Sequence, residues 1–197
     1  HRVDRRQRQM CIRDSLYLVR HPRPIVAANT CYGRTDLAVA AEELASAHAS
    51  LLPVLPKNAR VFSSPLRRCM DLSERLAHTL GCAKPTYDER LAEMHFGDWE
   101  MRTWDDIPRT AIDAWSQDMV EYQPGGGESV MQVAHRVRAF RDELSELQIE
   151  HAIVICHAGI IRLLAACEHG LSVPEMALYA AQKPHKIRYG ELLVVDC

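Results

Sequence analysis

Two short apolar runs, Leu16-Tyr17-Leu18-Val19 and Ile153-Val154-Ile155-Cys156, constrain the fold of this chain more than any other feature. Each is too short to stand as a helix and has the continuous apolar character of a strand buried on both faces. Each also stops abruptly. The first ends in Arg20-His21 and the second in His157, followed by the small pair Ala158-Gly159. A buried parallel strand delivers the residues after it to the carboxyl edge of the sheet, where open α/β sheets bind ligands. Two histidines brought to one edge, with arginines nearby, suggest phosphoryl-transfer chemistry that needs no metal.

The segments between these runs alternate helical and strand-like patterns, so the expected fold is α/β. Its expected form is a three-layer sandwich with a mostly parallel sheet and helices on both faces. Residues 36–52 are rich in Ala and Leu, open on Asp36 as an N-cap and stop before Pro53, which predicts a helix. Residues 60–63 predict a strand, and residues 65–80 a helix with proline at its first turn and Gly81 as its C-cap. A polar, aromatic stretch over 86–104 precedes an expected helix at 105–118. The run Gln123-Pro124-Gly125-Gly126-Gly127 is expected to be a flexible loop rather than a lid hinge. Residues 129–148 predict a helix: Ser129 and Gln132 form a capping-box pattern, and Val133, Val137, Phe140, Leu144 and Leu147 recur on one face. Residues 160–168 predict a helix after the second apolar run. Residues 186–189 and 192–195 suggest late edge strands.

A length of 197 residues suits one domain with a real core. The formal net charge of -2 offers no electrostatic footprint for nucleic acid or an anionic membrane, so any anion site must be a local arginine cluster. Seven cysteines, an odd number with no C-x-x-C pair, argue for a reducing, cytoplasmic setting and against a disulfide scaffold. No apolar stretch approaches the ~20 residues of a membrane span. The first fourteen residues, HRVDRRQRQMCIRD, are basic and polar without an apolar h-region, so they are not a secretory signal. They are expected to be a non-native or disordered leader, with the domain running from 15 to 197.

Four motifs then occur in order: LVRHP at 18–22, SSPLRR at 63–68, the glutamate Glu93 in LAEMHFGDWE, and CHAG at 156–159. Each alone is weak; together they resemble the histidine phosphatase, or phosphoglycerate mutase-like, superfamily over nearly the whole chain from Leu16. The resemblance implies that His21 is the nucleophile that carries the phosphoryl group and that Arg20 and Arg68 bind phosphate. It makes Glu93 the general acid and then base, and His157 the second histidine beside the transferring group. It implies no cofactor and no metal.

The chemistry suits those residue types. A phosphoryl group in transfer spreads charge over its equatorial oxygens, so catalysis rests on positioning and electrostatics. Arginine offers a rigid charged fork to two oxygens at once. A neutral imidazole can attack phosphorus and split hydrolysis into two steps. Met94, Phe96 and Trp99 beside Glu93 form an apolar setting of the kind that favours a protonated carboxyl.

The stretch EMHFGDWEMR, from Glu93 to Arg102, is similar to that of α-ribazole phosphatases of cobalamin biosynthesis, and CYGRTDL and GGGES suit the same branch. Alignment with substrate loops of the family places Tyr32 and Gly33 near the ester. One departure is Pro22, where most relatives have glycine; its missing N–H removes any hydrogen bond from that position. The expected activity is that of a phosphomonoesterase acting on α-ribazole 5'-phosphate. Its rivals are a general sugar- or nucleotide-phosphate phosphatase, a mutase, and a catalytically silent phospho-ligand binder. The expected partner is a small phosphomonoester; the sequence leaves the oligomeric state open. Arg67 is expected to be a solvated helix residue, His95 a polar loop residue, Cys156 a packing residue, and Cys167-Glu168-His169 no metal site. The three tryptophans are expected to pack a cap over the site.

Overall fold

The computed structural model describes residues 15–147, 149–182 and 186–196. The expected leader at 1–14 and Gln148 lie outside them. Five strands, β1 (Ser15–Arg20), β2 (Arg60–Ser63), β3 (Thr86–Tyr87), β4 (His151–Cys156) and β5 (Leu192–Asp196), form one sheet in the order β3-β2-β4-β1-β5. All pairs are parallel except β1 with β5, which lies antiparallel at the edge. This is the expected α/β sandwich.

Alternation along the strands divides the core. Leu16 and Leu18 of β1, with Ala152, Val154 and Cys156 of β4, face a cluster closed by α4 (Val130–Glu146), α5 (Ala158–Glu168) and α6 (Val173–Gln182). Val19, Ile153 and Ile155 face the opposite cluster, closed by α1 (Ala41–Leu51) and α2 (Arg67–Leu80). Period-two side-chain alternation produces both faces from one continuous apolar run.

Several helix boundaries differ from expectation. The first helix begins at Ala41, not Asp36. Residues 38–39 are held extended, since Ile25 N–H donates to Ala38 O and Pro24 bridges Val39. The Asp36 carboxylate instead accepts from the N–H of Arg67 at 2.7 Å, satisfying a free donor at the start of α2. The 105–118 helix is divided. A 3₁₀ turn at Trp104–Asp106 is separated from α3 (Arg109–Gln117) by Pro108, which holds Ile107 extended. In α4 the capping box forms in both directions between Ser129 and Gln132. Leu147 falls beyond the helix end and is exposed.

Residues 186–189 form no strand. The chain turns at Tyr189–Gly190, where Gly190 (φ 70°) donates its N–H to the carbonyls of Arg20 and His21. The glycine run is no free loop: Pro124–Gly126 make a 3₁₀ turn seated on 95–99. A Cβ at Gly125 or Gly127 would collide with the carbonyls of Phe96 or His95, so close approach of two backbones requires glycine there.

Candidate active site

The strand ends set the site. Parallel pairing aligns Arg20 with Cys156, so His21 and His157 leave adjacent strands at the same level. The His21 N–H donates to Cys156 O at 3.0 Å, and the two imidazole centroids are 5.0 Å apart. The end of β2 supplies Ser64, whose N–H donates to Ile155 O. His21 is 2% exposed, and His157 and Arg68 are fully buried.

A hydrogen bond to backbone assigns the His21 imidazole its tautomer. His21 Nδ1 lies 2.7 Å from the carbonyl oxygen of Pro22, which can only accept. Nδ1 therefore carries the proton and Nε2 keeps its lone pair free. His157 Nε2 lies 2.9 Å from Ser64 Oγ, which already accepts from Leu66 N–H at 3.4 Å. Ser64 Oγ and His157 Nε2 share one hydrogen bond, and His157 Nδ1 has no hydrogen-bond partner among the described residues. Burial, and then the nearby Arg68 and Arg20 guanidinium groups, hold His21 well below its ordinary pKa. Burial, followed by Arg68 and His21, does the same for His157. Both imidazoles are neutral.

Arg68 is anchored from behind. Its Nη1 donates to Thr35 O at 2.7 Å and its Nη2 to Gly33 O at 2.5 Å. Glu100 fixes that loop by accepting from the N–H groups of Arg34, Thr35 and Phe96 and from the Thr35 hydroxyl. Burial alone would raise the Glu100 pKa, but these hydrogen bonds outweigh it and hold it low. Gly33 itself does not line the cavity. A Cβ there would collide with Met94 O, so it serves as a tightly packed carbonyl holding Arg68. Arg67, one residue earlier, is exposed.

Arg20 donates to Ile187 O at 2.5 Å and stacks over the Tyr189 ring at 3.9 Å. Tyr189 also lies 5.6 Å from the His21 ring and shares a 2.6 Å hydrogen bond with the Tyr32 hydroxyl. Burial and that bond push the Tyr32 phenol upward, so it stays neutral.

Glu93 enters from the opposite side. Its Oε1 accepts from Met94 N–H at 3.2 Å and packs against Gly159 at the start of α5, where a Cβ would come within 2.7 Å of the carboxylate. Arg136 of α4 clamps this loop, donating to the carbonyls of Arg90 and Ala92 at 2.7 Å and of Glu93 at 3.3 Å while paired with Glu128.

Arg20, His21, Tyr32, Arg68 and Glu93 all line one cavity of about 660 Å³. Beyond them its wall turns apolar, with Phe96, Trp104, Trp115, Met119 and Leu163. Trp104 and Trp115 stack in near-parallel planes (7°), and Phe96 stands edge-on to both. Trp99 is buried beneath them and does not reach the cavity. His95 is exposed outside it. Cys156 packs in the core, while Cys69 lies 3.6 Å from His157 Nε2, its thiol pushed up to about 12 by burial. Among the described residues no cluster of three or more His, Cys, Asp or Glu side chains is placed to hold a metal ion. Glu168 is paired with Arg141, and Cys167 Sγ contacts Met176.

Four contributors to the site are not evident from sequence alone. Ser64 stands inside the SSPLRR motif, where nothing local gives it a role. Arg136 is legible only as a cation on α4. Arg162, a lone cation in the apolar AGIIRLLAAC, also lines the cavity and is the one visible anomaly of the four. Tyr189 carries no signal, because its role depends on a turn far along the chain.

Two arginines and two histidines thus meet at the carboxyl edge of an open α/β sheet. The model of the histidine phosphatase superfamily (branch 1) matches residues 16–187, and the chain belongs to that superfamily. It is similar to the glucosyl-3-phosphoglycerate phosphatase of Mycolicibacterium vanbaalenii, with 32% identity over 152 residues, 72% of this chain and 63% of that protein. It is also similar to the adenosylcobalamin/alpha-ribazole phosphatase of Escherichia coli, with 36% identity over 90 residues, 44% of each. A solved mycobacterial glucosyl-3-phosphoglycerate phosphatase in complex with VO3 superposes with a TM-score of 0.75 at 26% identity, covering 92% of both chains. The chain thus spans less than two thirds of the first curated relative's length. Among the described residues no helix is long and apolar enough to cross a membrane.

Proposed function

We propose that this protein is a phosphomonoesterase that works through a phosphohistidine and uses no metal. The observation that carries this reading is a set of buried polar atoms without a hydrogen-bond partner among the described residues: Arg20 Nε and Arg68 Nε, on two arginines that line the cavity with His21, and Nδ1 of the neighbouring His157. Buried polar groups of this kind are costly unless a ligand meets them, and the two guanidinium donors beside His21 suit the oxygens of a phosphoryl group.

In this mechanism His21 Nε2 attacks phosphorus while its Nδ1–H stays bonded to Pro22 O, which stabilises the developing imidazolium. Arg20 and Arg68 hold the equatorial oxygens, with His157 beside the transferring group. Glu93, as the carboxylic acid, gives its proton to the departing alkoxide as the P–O bond breaks. The resulting carboxylate takes a proton from water, which attacks phosphorus. The N–P bond then breaks, inorganic phosphate leaves and His21 is regenerated.

The finer reading is an α-ribazole 5'-phosphate phosphatase, supported by the EMHFGDWEMR stretch and by the similarity to the Escherichia coli enzyme. Glucosyl-3-phosphoglycerate is the rival substrate, drawn from the longer similarity to the mycobacterial enzymes. Replacing His21 with alanine is the test of mechanism. Turnover of every monoester should vanish, and ³²P label from substrate, trapped on the wild-type protein, should be absent from the variant. Persistent hydrolysis by His21→Ala would overturn the mechanism, and inactivation by EDTA would revive a metal site.

A further inference from the structure

The cavity holds a third arginine that the proposed chemistry does not use. Arg162 lies on α5 three residues beyond Gly159, against which Glu93 packs, so it stands in the apolar chamber about 4.5 Å along the helix axis from the Glu93 end. It makes one hydrogen bond among the described residues, from Nη2 to Tyr179 O at 3.1 Å, and no ion pair among them. Burial lowers its pKa, yet a guanidinium remains charged. Arg162 is thus a half-buried cation in an apolar wall, with one neutral carbonyl acceptor and no carboxylate partner among the described residues. The indole Nε1–H of Trp115 is a buried donor of the same chamber without an acceptor among the described residues.

The rest of the chamber sets the shape of the group that brings that acceptor. Trp104, Trp115 and Phe96 present flat apolar surface, and Met119, Val130 and Leu163 continue it. Polyhydroxylated groups would lose their water here with few partners, at a cost that a flat hydrophobic body avoids.

We propose that Arg162 is a specificity residue for the leaving group. The site selects a phosphomonoester whose leaving group has a planar apolar body and, at its far end, an anionic acceptor such as a carboxylate. This rests on the phosphomonoesterase reading above and departs from its finer α-ribazole reading, whose leaving group is a hydroxylated nucleoside without a carboxylate. The phosphate dianion is met by Arg20 and Arg68, and the distal carboxylate by Arg162, which gives each cation of the cavity a counter-charge.

The test compares 2-naphthyl phosphate with 6-carboxy-2-naphthyl phosphate in the wild type, Arg162→Gln and Arg162→Lys. The ratio of the two kcat/KM values is the readout, so each variant's effect on that ratio cancels differences in intrinsic reactivity. In the wild type the carboxylated ester should be favoured, and Arg162→Gln should lower the ratio by about 10- to 100-fold. Arg162→Lys should recover part of it. A ratio unchanged by Arg162→Gln overturns the proposal even if both esters are hydrolysed. A parallel calorimetric titration with 6-hydroxy-2-naphthoate and 2-naphthol in the presence of inorganic phosphate needs no turnover. Tighter binding of the carboxylate, lost in Arg162→Gln, supports the proposal even if no ester is cleaved, in which case the phosphatase reading alone has failed. Equal binding of both by the wild type overturns it.

Discussion

The two ends of the cavity are built in opposite ways. At the inner end Arg20, His21 and His157 stand at strand termini and Arg68 at the start of a helix that follows one, and Arg20, His21 and Arg68 are each held by hydrogen bonding to backbone carbonyls. At the outer end the wall comes from a connection of 3₁₀ turns and one short helix between β3 and α4, together with α5 and α6, and it is held by ring packing. The inner end is polar and rigid, suited to one reaction. The outer end can change its shape by changing side chains, without disturbing the sheet. Reaction and selectivity are thereby separated within a few ångströms.

The largest test of that separation is Arg68→Lys. A lysine cannot donate to both Gly33 and Thr35 while keeping a donor for phosphate, so kcat should fall on the order of 10²-fold or more for every substrate alike. Steady-state kinetics over several monoesters would show it, with circular dichroism confirming the fold. A loss confined to one substrate would break the division.

Ser64→Ala should act at the same end through His157. Without the hydroxyl the imidazole loses the 2.9 Å hydrogen bond at Nε2, and we expect kcat to fall about tenfold, as for a lost buried hydrogen bond. The conservative Ser64→Thr should restore much of it. NMR of ¹⁵N-labelled imidazoles would report the tautomer directly.

Trp115→Ala belongs to the outer end. It should raise KM about tenfold for bulky apolar esters and leave small ones nearly untouched, since it removes ground-state contact rather than transition-state charge stabilisation.

The pH dependence of stability distinguishes the ends without substrate. His21 and His157 have folded pKa values lowered below the ordinary 6.5 by burial. The unfolded chain therefore binds protons that the folded protein refuses. Stability should be full above about pH 6.5 and fall as pH drops toward the lowered folded values, at up to about 1.4 kcal/mol per pH unit for each histidine. Urea unfolding at pH 7.5, 6.5 and 5.5 would measure the slope, and His157→Gln should flatten it.

The smallest effect lies outside both ends. Met101 is exposed and holds φ 66°, in the left-handed region that costs a non-glycine residue roughly 1–2 kcal/mol. Met101→Gly should gain about 0.5–1 kcal/mol net, after glycine's greater unfolded entropy is counted. A rise in urea midpoint with unchanged kinetics is the expected result.

The same division governs how much of the molecule is legible in the chain. Leu16–Val19 and Ile153–Cys156 announce themselves because a doubly buried strand has to be apolar throughout, and the residue after such a strand has to stand at the sheet edge. The capping box at Ser129 and the glycine after Leu80 are local signals of the same kind. The start of α1 departs from its local pattern because the Asp36 carboxylate is taken by α2, a tertiary bond that no local pattern encodes. The glycine run reads as a free loop because the backbone it presses on lies some thirty residues earlier. Tyr189 over Arg20, and Arg136 behind Glu93, likewise exist only once distant segments meet. Helix α6 leaves no signature, since residues 173–182 are largely apolar without a clear period.

One contact has an evolutionary consequence. The proton on His21 Nδ1 is held by the main-chain carbonyl of Pro22, and every amino acid has that carbonyl. Sequence drift at position 22 can change the side chain there without depriving the His21 imidazole of its acceptor. The short hydrogen bond of the second histidine has no such insurance, because Ser64 supplies it through a hydroxyl that a single codon change can delete. A lineage that abandoned turnover while keeping its ligand could therefore do so cheaply at Ser64, long before it lost His21.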